Sequence, residues 1–257
     1  IMFQVIAYFR FLFASTNQHG VHSPFVYDLI TKCFYNKKPL SVYNQLQQYR
    51  ADLLANKDHI EVTDFGAGSR VFKSSKRQIS AIAKTAGITT KRAELLARLA
   101  QYFNFNQVLE LGTSLGLASS AIAFANPKTN ITTLEGCPET AAIARTQFKT
   151  HQLHNINSVT TDFSDYLSTN TQVFDLVYFD GNHQKEATLA YFNTLVQQAT
   201  NDTVYIFDDI HWSKDMEDAW VAIKNHPKVT VTIDTFYWGF VFFRAENKHK
   251  EHFIIRA

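Results

Sequence analysis

The chain has 257 residues, 46% of them hydrophobic, and its 25 basic and 23 acidic residues leave a net charge of +2. This length suits one large α/β domain, or one domain with an appended piece. The near balance of charge gives no support for a nucleic-acid or anionic-membrane partner. The two cysteines, Cys33 and Cys137, lack the spacing of a metal site, so we expect a reduced, cytoplasmic setting.

The first 104 residues are predicted to be mostly helical. Ile1 to Ala14 is apolar, but it contains Arg10 and lacks the basic start and cleavage pattern of a signal peptide. We interpret it as a packing or dimerising helix rather than a membrane span, and its aromatic residues suggest a homodimer as a hypothesis. Apolar spacing and capping residues predict four further helices, near residues 24–35, 39–53, 79–86 and 90–103.

A D-x-G-x-G stretch, Asp64 to Ser69, follows the short run Ile60 to Val62 and mimics a cofactor loop. The residues after it are basic and polar rather than an apolar helix, and no acid-tipped strand comes at the right distance. We therefore interpret Asp64 to Ser69 as a loop. It either lines the substrate side of a pocket or is simply a turn, and both interpretations stay open.

The stretch from Val108 to Gly116 has the pattern of a buried strand, a glycine turn and the start of a helix. Such a unit makes a ligand cradle at the carboxyl end of a sheet. Glu135 ends the next strand, where its carboxylate can accept hydrogen bonds from two ribose hydroxyls. The spacing is G-x-x-x-G rather than G-x-G-x-x-G, and Glu110 puts an acid at the strand tip. A cationic ligand is therefore favoured over a pyrophosphate.

From Gln107 onward, predicted strands and helices alternate, which indicates a parallel sheet. The first five strands are expected at residues 107–111, 131–134, 158–161, 174–179 and 203–207. The last two, 228–235 and 239–244, have three residues between them. That link is too short for a parallel crossover, so we predict an antiparallel hairpin.

The glycine turn, the acid at Glu135 and the terminal hairpin together resemble the class I S-adenosylmethionine-dependent methyltransferases over residues 105–244. The resemblance implies an α/β fold with a Rossmann-like, doubly wound, mainly parallel seven-stranded sheet and a terminal antiparallel hairpin. We expect a mostly helical N-terminal cap over residues 1–104, on the substrate side, and an S-adenosylmethionine-binding domain over residues 105–257.

By match to this family, several residues are expected to bind S-adenosyl-L-methionine. In chain order they are Glu110, Gly112, Thr113, Ser114, Gly116, Glu135, Gly136, Asp162, Phe163 and Asp180. The loop from Gly112 to Gly116 would pass under the amino-acid part of the cofactor, and Glu135 would hold the ribose hydroxyls. Gly136 would lie beside the adenine face. Asp162 would take the adenine amino group, with the ring of Phe163 stacking on the base.

Two later segments, Phe179 to His183 and Phe207 to Ile210, resemble the catechol O-methyltransferase-like branch of the family. That branch often holds a divalent metal with one acid after strand four and an acid-plus-amide pair after strand five. Asp180, Asp208 and Asp209 fall at those places, although Asp209 replaces the amide. Hard oxygen ligands suit Mg²⁺, which would bind a substrate hydroxyl and lower its pKa.

The same segments supply groups that could remove a proton without a metal. Asp180, His183 and His211 are the candidate bases. Together with Asp208, they form the predicted catalytic set.

The sequence therefore predicts a cytoplasmic S-adenosylmethionine-dependent methyltransferase, with O-methylation of a small hydroxylated substrate as the leading hypothesis. The segment His19 to Phe25 is similar to the opening of a group of bacterial methyltransferases, a likeness that indicates no substrate. Two alternatives stay open. A nicotinamide-dependent oxidoreductase is disfavoured by the terminal hairpin and by Ser114, and a catalytically silent cofactor-binding protein is disfavoured by the intact acids of the two later segments.

Overall fold

The structure, a computed structural model, describes residues 2–66 and 74–257. By its internal contacts the chain divides into two compact units. The glycine-loop unit is Lys37–Thr169, and the terminal unit is Ile1–Asn36 together with Asn170–Ala257. The functional boundary predicted at residue 104 stays a prediction.

Helices and strands alternate along most of the described chain. The α-helices are α1 Met2–Ala14, α2 Pro24–Leu29, α3 Tyr43–Ala55, α4 Ile79–Thr85, α5 Thr90–Phe103, α6 Leu117–Ala125, α7 Pro138–Thr150, α8 Phe163–Thr169, α9 Lys185–Leu195 and α10 Lys214–Asn225. The strands are β1 His59–Glu61, β2 Lys76–Gln78, β3 Gln107–Leu111, β4 Asn130–Glu135, β5 Ile156–Thr160, β6 Leu176–Phe179, β7 Val204–Asp208, β8 Val231–Asp234, β9 Trp238–Phe242 and β10 Glu251–Ile254.

In the glycine-loop unit, β4 pairs in parallel with β3 on one side and with β5 on the other. The apolar residues of β3 are buried, and every residue of α6 is buried as well. The alanines and serines of α6 are small, which lets its backbone pack closely. The strands β1 and β2 form a separate antiparallel pair. The glycine loop therefore joins the carboxyl end of the buried strand β3 to the buried helix α6.

In the terminal unit, β6 and β7 are parallel, and β9 pairs antiparallel with both β7 and β8. The predicted terminal hairpin is therefore confirmed. The short link forces the chain to reverse at Thr235 to Tyr237, and all residues of β7, β8 and β9 are buried. Helix α1 packs on this unit through Ala7 and Phe11, which form a core cluster with Phe236.

The predicted fold class, α/β with a Rossmann-like, mainly parallel sheet, is confirmed, with one correction to the strand count. Besides the β1–β2 pair, the described residues form eight strands rather than seven: three in the glycine-loop unit and five in the terminal unit, where β10 pairs in parallel with β8. The helix predicted from Pro39 begins at Tyr43, and the helix predicted over 24–35 is α2 followed by a π-helical turn, Ile30–Phe34. Within the described ranges, no helix is long and apolar enough to cross a membrane.

Candidate functional site

The glycine loop follows β3 with three residues of positive φ: Gly112 at 108°, Ser114 at 48° and Gly116 at 77°. Glycine adopts this conformation without strain, so Gly112 and Gly116 suit the turn. Ser114 has a side chain and adopts the conformation at an energetic cost. The backbone N–H groups of Gly112 and Thr113 both donate to the carbonyl of Leu134, at 3.0 Å. The loop is thus attached to the end of β4.

Gly116 is required for a second reason, which is close packing. A Cβ at this position would meet the ring of Phe148 and the hydroxyl of Tyr49. The Tyr49 hydroxyl is buried and donates to the carbonyl of Leu115 at 2.9 Å. Burial, and then the charge of Glu110, raise the pKa of Tyr49 well above its ordinary value of 10. Tyr49 lies in the helix predicted near residues 39–53, and the sequence gave no sign of its contact with the loop.

Glu135 lies at the end of β4 and connects two turns. Its Oε2 accepts a hydrogen bond from the N–H of Ser114 at 2.8 Å, and its Oε1 accepts one from the N–H of Cys137 at 2.9 Å. Burial raises the pKa of Glu135, although the N–H groups of Cys137, Ser114 and Gly136 oppose the rise. The structure therefore brings this acid and the glycine loop together, as the sequence predicts.

Glu110 is fully buried at the end of β3. The hydroxyls of Ser119 and Thr133 both donate to its Oε2. Its Oε1 is also buried and has no hydrogen-bond partner among the described residues. Burial raises the pKa of Glu110 from 4.5 to about 7, despite the opposing hydrogen bonds from Ser119 and Thr133. A buried carboxylate oxygen without a partner is costly, and a cationic ligand would offset that cost.

The other cofactor residues predicted in this unit lie in the turns after β4 and β5. Asp162 is exposed and caps α8, because its Oδ1 accepts a hydrogen bond from the N–H of Ser164 at 2.7 Å. Phe163 is the first residue of α8 and is half-buried. Their adenine contacts stay predictions.

The Asp64 loop lies beside Glu135 and Gly136, which the sequence did not reveal. The ring of Phe65 covers the face of Gly136, and the charge of Asp64 contributes to the raised pKa of Glu135. Of the predicted loop, Ala67 to Ser69 lie outside the described residues. Asp64 and Phe65 lie next to Glu135, the acid predicted to bind the cofactor. Neither interpretation of the loop from the sequence anticipated this position.

In the terminal unit, the turn after β6 holds Asp180 and His183 together. The Nε2 of His183 lies 3.8 Å from the Oδ1 of Asp180, and both side chains are largely covered. Asn182 and His183 both have positive φ, at 71° and 47°. Two consecutive left-handed residues other than glycine are a strained arrangement of the kind found at functional sites. The structure thus pairs two of the predicted catalytic residues.

Asp208 is the last residue of β7, and Asp209 follows it directly. Asp208 is buried, with 6% of its surface exposed, and Asp209 has a φ of 54°. In the parts of the chain that the structure describes, no group of three or more His, Cys, Asp or Glu residues is arranged to hold a metal ion. The metal site predicted at Asp180, Asp208 and Asp209 therefore stays a prediction.

His211 lies between two carboxylates. Its Nδ1 is 2.8 Å from Oε1 of Glu217, and its Nε2 is 2.8 Å from Oδ2 of Asp234. Its ring stacks on Phe236, with 5.2 Å between centroids. Burial lowers the pKa of His211, but the hydrogen bonds and charges of Asp234 and Glu217 outweigh it, so the net pKa is raised. Only an imidazolium can donate from both nitrogens, so His211 is a poorer candidate base than His183. Its catalytic role stays a prediction.

The sequence model of a family described as "Methyltransferase domain" matches residues 109–210, which run from within β3 to the turn after β7. No curated protein sequence matches the chain.

Solved structures with a similar fold include three methyltransferases. An SAH-bound methyltransferase from Podospora anserina is 14% identical, with a TM-score of 0.61, over 87% of this chain and 97% of that one. An O-methyltransferase from Bacillus cereus in complex with SAH is 19% identical, with a TM-score of 0.55, over 81% and 92%. The O-methyltransferase TomG from Streptomyces achromogenes, in complex with SAM, is 14% identical, with a TM-score of 0.56, over 81% and 92%.

At these identities the solved structures establish the fold, and the family match indicates the kind of domain over residues 109–210. Residues 109–210 therefore match a methyltransferase-domain family, and the chain has the α/β fold of these S-adenosylmethionine-dependent methyltransferase structures.

Proposed function

We propose that this protein transfers the methyl group of S-adenosyl-L-methionine to a hydroxyl oxygen of a small molecule. The observation that carries the proposal is the position of Glu135, whose carboxylate lies at the end of β4 and contacts the glycine loop through Ser114. An acid in this place suits the two hydroxyls of a ribose. The O-methyltransferases from Bacillus cereus and Streptomyces achromogenes support the choice of oxygen as the acceptor.

The residues of the glycine-loop unit fit the cofactor chemically. The loop from Gly112 to Gly116 has a tightly folded backbone at the end of β3, and Glu135 suits the ribose. The unpartnered oxygen of Glu110 suits a cationic ligand, and S-adenosyl-L-methionine carries an ammonium and a sulfonium. When bound, the cofactor supplies a methyl group that is already activated by the positive sulfur. The protein then has to position the acceptor, exclude water and remove one proton.

We assign removal of that proton to His183, with Asp180 as the residue that orients it. Their separation of 3.8 Å is longer than a hydrogen bond but close enough for the Asp180 carboxylate to orient the ring of His183. His211 is engaged by Glu217 and Asp234, so it serves better as a positive bridge than as a base.

A divalent metal such as Mg²⁺ stays a prediction, and we derive no step through it. Calorimetric titration of Mg²⁺ into the protein with SAH present, repeated with Asp209→Ala, tests it. Binding that Asp209→Ala abolishes would support a metal held by the acids after β6 and β7.

The first experiment is calorimetric titration with SAH, for the wild type and for Glu135→Ala. We expect micromolar binding in the wild type and a loss of at least tenfold in the variant, because a carboxylate hydrogen bond is worth about 1.5–3 kcal/mol. NADH is the comparison ligand. Binding of NADH without binding of SAH would overturn the proposal in favour of an oxidoreductase.

The acceptor is tested by turnover. Radiolabelled S-adenosyl-L-methionine, incubated with a panel of small phenols, catechols and aliphatic alcohols, should transfer label to at least one hydroxylated compound. Tight SAH binding without transfer to any acceptor class would favour a catalytically silent cofactor-binding protein.

Two further predictions concern the setting of the enzyme. A cytoplasmic location follows from the cysteine usage, and fractionation of the producing cells tests it. A homodimer through α1 follows from its exposed apolar side chains, such as Phe13 and Met2. Light scattering at high protein concentration, with Phe13→Asp as the comparison, tests the dimer.

A further inference from the structure

Gly136 directly follows the predicted ribose acid, and its lack of a side chain has a specific cause. Among the described glycines, Gly112 and Gly116 have positive φ, and Gly136 is not one of them. The backbone therefore accepts any residue at this position. A Cβ at Gly136, however, would lie 2.7 Å from Cδ2 of Phe65 and 3.0 Å from its Cε2, which is closer than carbon atoms approach. With the ring of Phe65 in this position, a side chain at position 136 would force the ring to move.

Phe65 is placed there by the hairpin of β1 and β2. The two strands are antiparallel, and the N–H of Val62 donates to the carbonyl of Ser75 at 2.8 Å. Next to the ring, Asp64 forms an ion pair with Arg77, whose side chain is 9% exposed. These contacts fix Asp64, the residue immediately before Phe65, against the second strand of the hairpin.

The hairpin is also attached to the turn that contains Gly136. The N–H of Glu61 donates to Oε2 of Glu139 in the first turn of α7, at 2.6 Å. The Sγ of Cys137 donates to the carbonyl of Glu61 at 3.5 Å. Phe65 is therefore held over Gly136 by contacts of the hairpin with two residues that follow this glycine on the α7 side.

One edge of the Phe65 ring lies against Gly136, yet 59% of the surface of Phe65 is exposed. A large apolar ring in this state has a free surface beside the acid that we assign to the ribose. The base of a nucleoside projects from its ribose, and aromatic side chains bind bases by stacking. The hairpin thus presents an apolar surface where the residue after the ribose acid has no side chain to offer.

We propose that Phe65 forms one wall of the adenine pocket, in place of the side chain that Gly136 lacks. This inference rests on the proposed function, since it assigns the adenine of the same cofactor. It gives the hairpin of β1 and β2 a role on the cofactor side rather than on the substrate side. Phe65 and Gly136 then form a coupled pair, because the ring can keep this position only while residue 136 has no side chain.

The experiment is calorimetric titration of SAH and, separately, of adenosine. Phe65→Ala should weaken the binding of both ligands by about tenfold, by a similar factor, because they share the adenine that loses its wall. Phe65→Trp should retain affinity, and the emission of the new tryptophan should be quenched as SAH binds. Phe13→Ala, which removes another exposed ring from the terminal unit, is the matched control and should leave both affinities unchanged.

A double-mutant cycle tests the coupling of the pair. Gly136→Ala should weaken SAH binding, because its methyl group displaces the ring of Phe65. In the Phe65→Ala background the same substitution should cost nothing further or restore part of the affinity. A structural role in the hairpin would not produce this dependence of one substitution on the other.

The outcomes separate the inference from the proposed function. If the wild type binds SAH, Glu135→Ala weakens that binding at least tenfold and Phe65→Ala binds as the wild type does, the inference is wrong and the proposed function stands. Tighter binding by Phe65→Ala would also overturn it, because the ring would then obstruct the ligand. A wild type that does not bind SAH would overturn both.

Discussion

The carboxylate of Glu135 accepts a hydrogen bond from the backbone N–H of Ser114 at 2.8 Å, so the acid at the end of β4 holds the strained loop that follows β3. Ser114 has a φ of 48°, which a residue with a side chain adopts at a cost. The contact offsets part of that cost. Glu135 therefore has a structural role in the protein in addition to the ribose contact that we propose.

Glu135→Gln should destabilise the protein even though it changes little in size. One carboxylate oxygen becomes an NH₂ group that faces the N–H of either Ser114 or Cys137, and a donor facing a donor forms no hydrogen bond. We expect the free energy of unfolding to fall by about 1–3 kcal/mol, measured by urea denaturation at neutral pH. Unchanged stability would mean that the glycine loop does not depend on this carboxylate.

The strands and the glycine loop could be predicted from the sequence because their signals are local. β3 lies at 107–111, where the sequence placed it, since Val108, Leu109 and Leu111 are apolar and a glycine turn follows at once. The terminal hairpin could be predicted because the short link excludes a parallel crossover. The acid at Glu135 follows from the same strand-by-strand pattern.

The elements that sequence analysis missed depend on distant partners. β10 has four half-buried or exposed residues without clear alternation, and it exists because it pairs with β8. β1 and β2 have three residues each and are mostly polar. The contacts of His211 with Glu217 and Asp234, and of Phe65 with Gly136, join residues that no local pattern connects.

Glu110→Gln should make the protein more stable at high pH. The pKa of Glu110 is about 7 in the folded protein against an ordinary 4.5, so its favourable contribution is complete below 4.5 and is lost as the pH rises through about 7. A shift of this size corresponds to about 3 kcal/mol as an upper limit. We expect the Glu110→Gln variant and the wild type to be similar in stability at about pH 4.5, and the variant to be more stable by up to about 3 kcal/mol at about pH 8.

Urea denaturation at both pH values measures this difference. Glu186→Gln is the matched control, because Glu186 is exposed on α9 and the same change of side chain there should alter stability by less than about 0.5 kcal/mol. An equal stability difference between the Glu110→Gln variant and the wild type at the two pH values would show that Glu110 is not a buried acid with a raised pKa.

His183→Gln should reduce turnover without loss of cofactor. For any acceptor that the wild type methylates, we expect kcat to fall by about 10²–10⁴-fold, the usual contribution of a general base. The dissociation constant of SAH should change less than twofold. His211→Gln is the comparison, because both nitrogens of His211 are already engaged and its loss should lower kcat far less. A larger effect at His211 than at His183 would reverse the assignment of the base.

His211→Gln should instead reduce stability in a pH-dependent way. The pKa of His211 is raised by Asp234 and Glu217, which outweigh burial, so its stabilising contribution is complete below the unfolded pKa and is lost as the pH rises through the folded pKa. The variant should be less stable than the wild type by about 1–2 kcal/mol at pH 6, with a smaller deficit at pH 9.

His252→Gln is the matched control for this prediction, because it gives the opposite sign. Burial, together with the charges of Lys224 and Lys250, lowers the pKa of His252. Its contribution to the stability of the folded protein is therefore lost as the pH falls. Relative to the wild type, His252→Gln should therefore gain stability between pH 9 and pH 5, while His211→Gln should lose it. Thermal unfolding of the three proteins across this range measures both trends. If His211→Gln and His252→Gln shift in the same direction, His211 is not a charged bridge between Glu217 and Asp234.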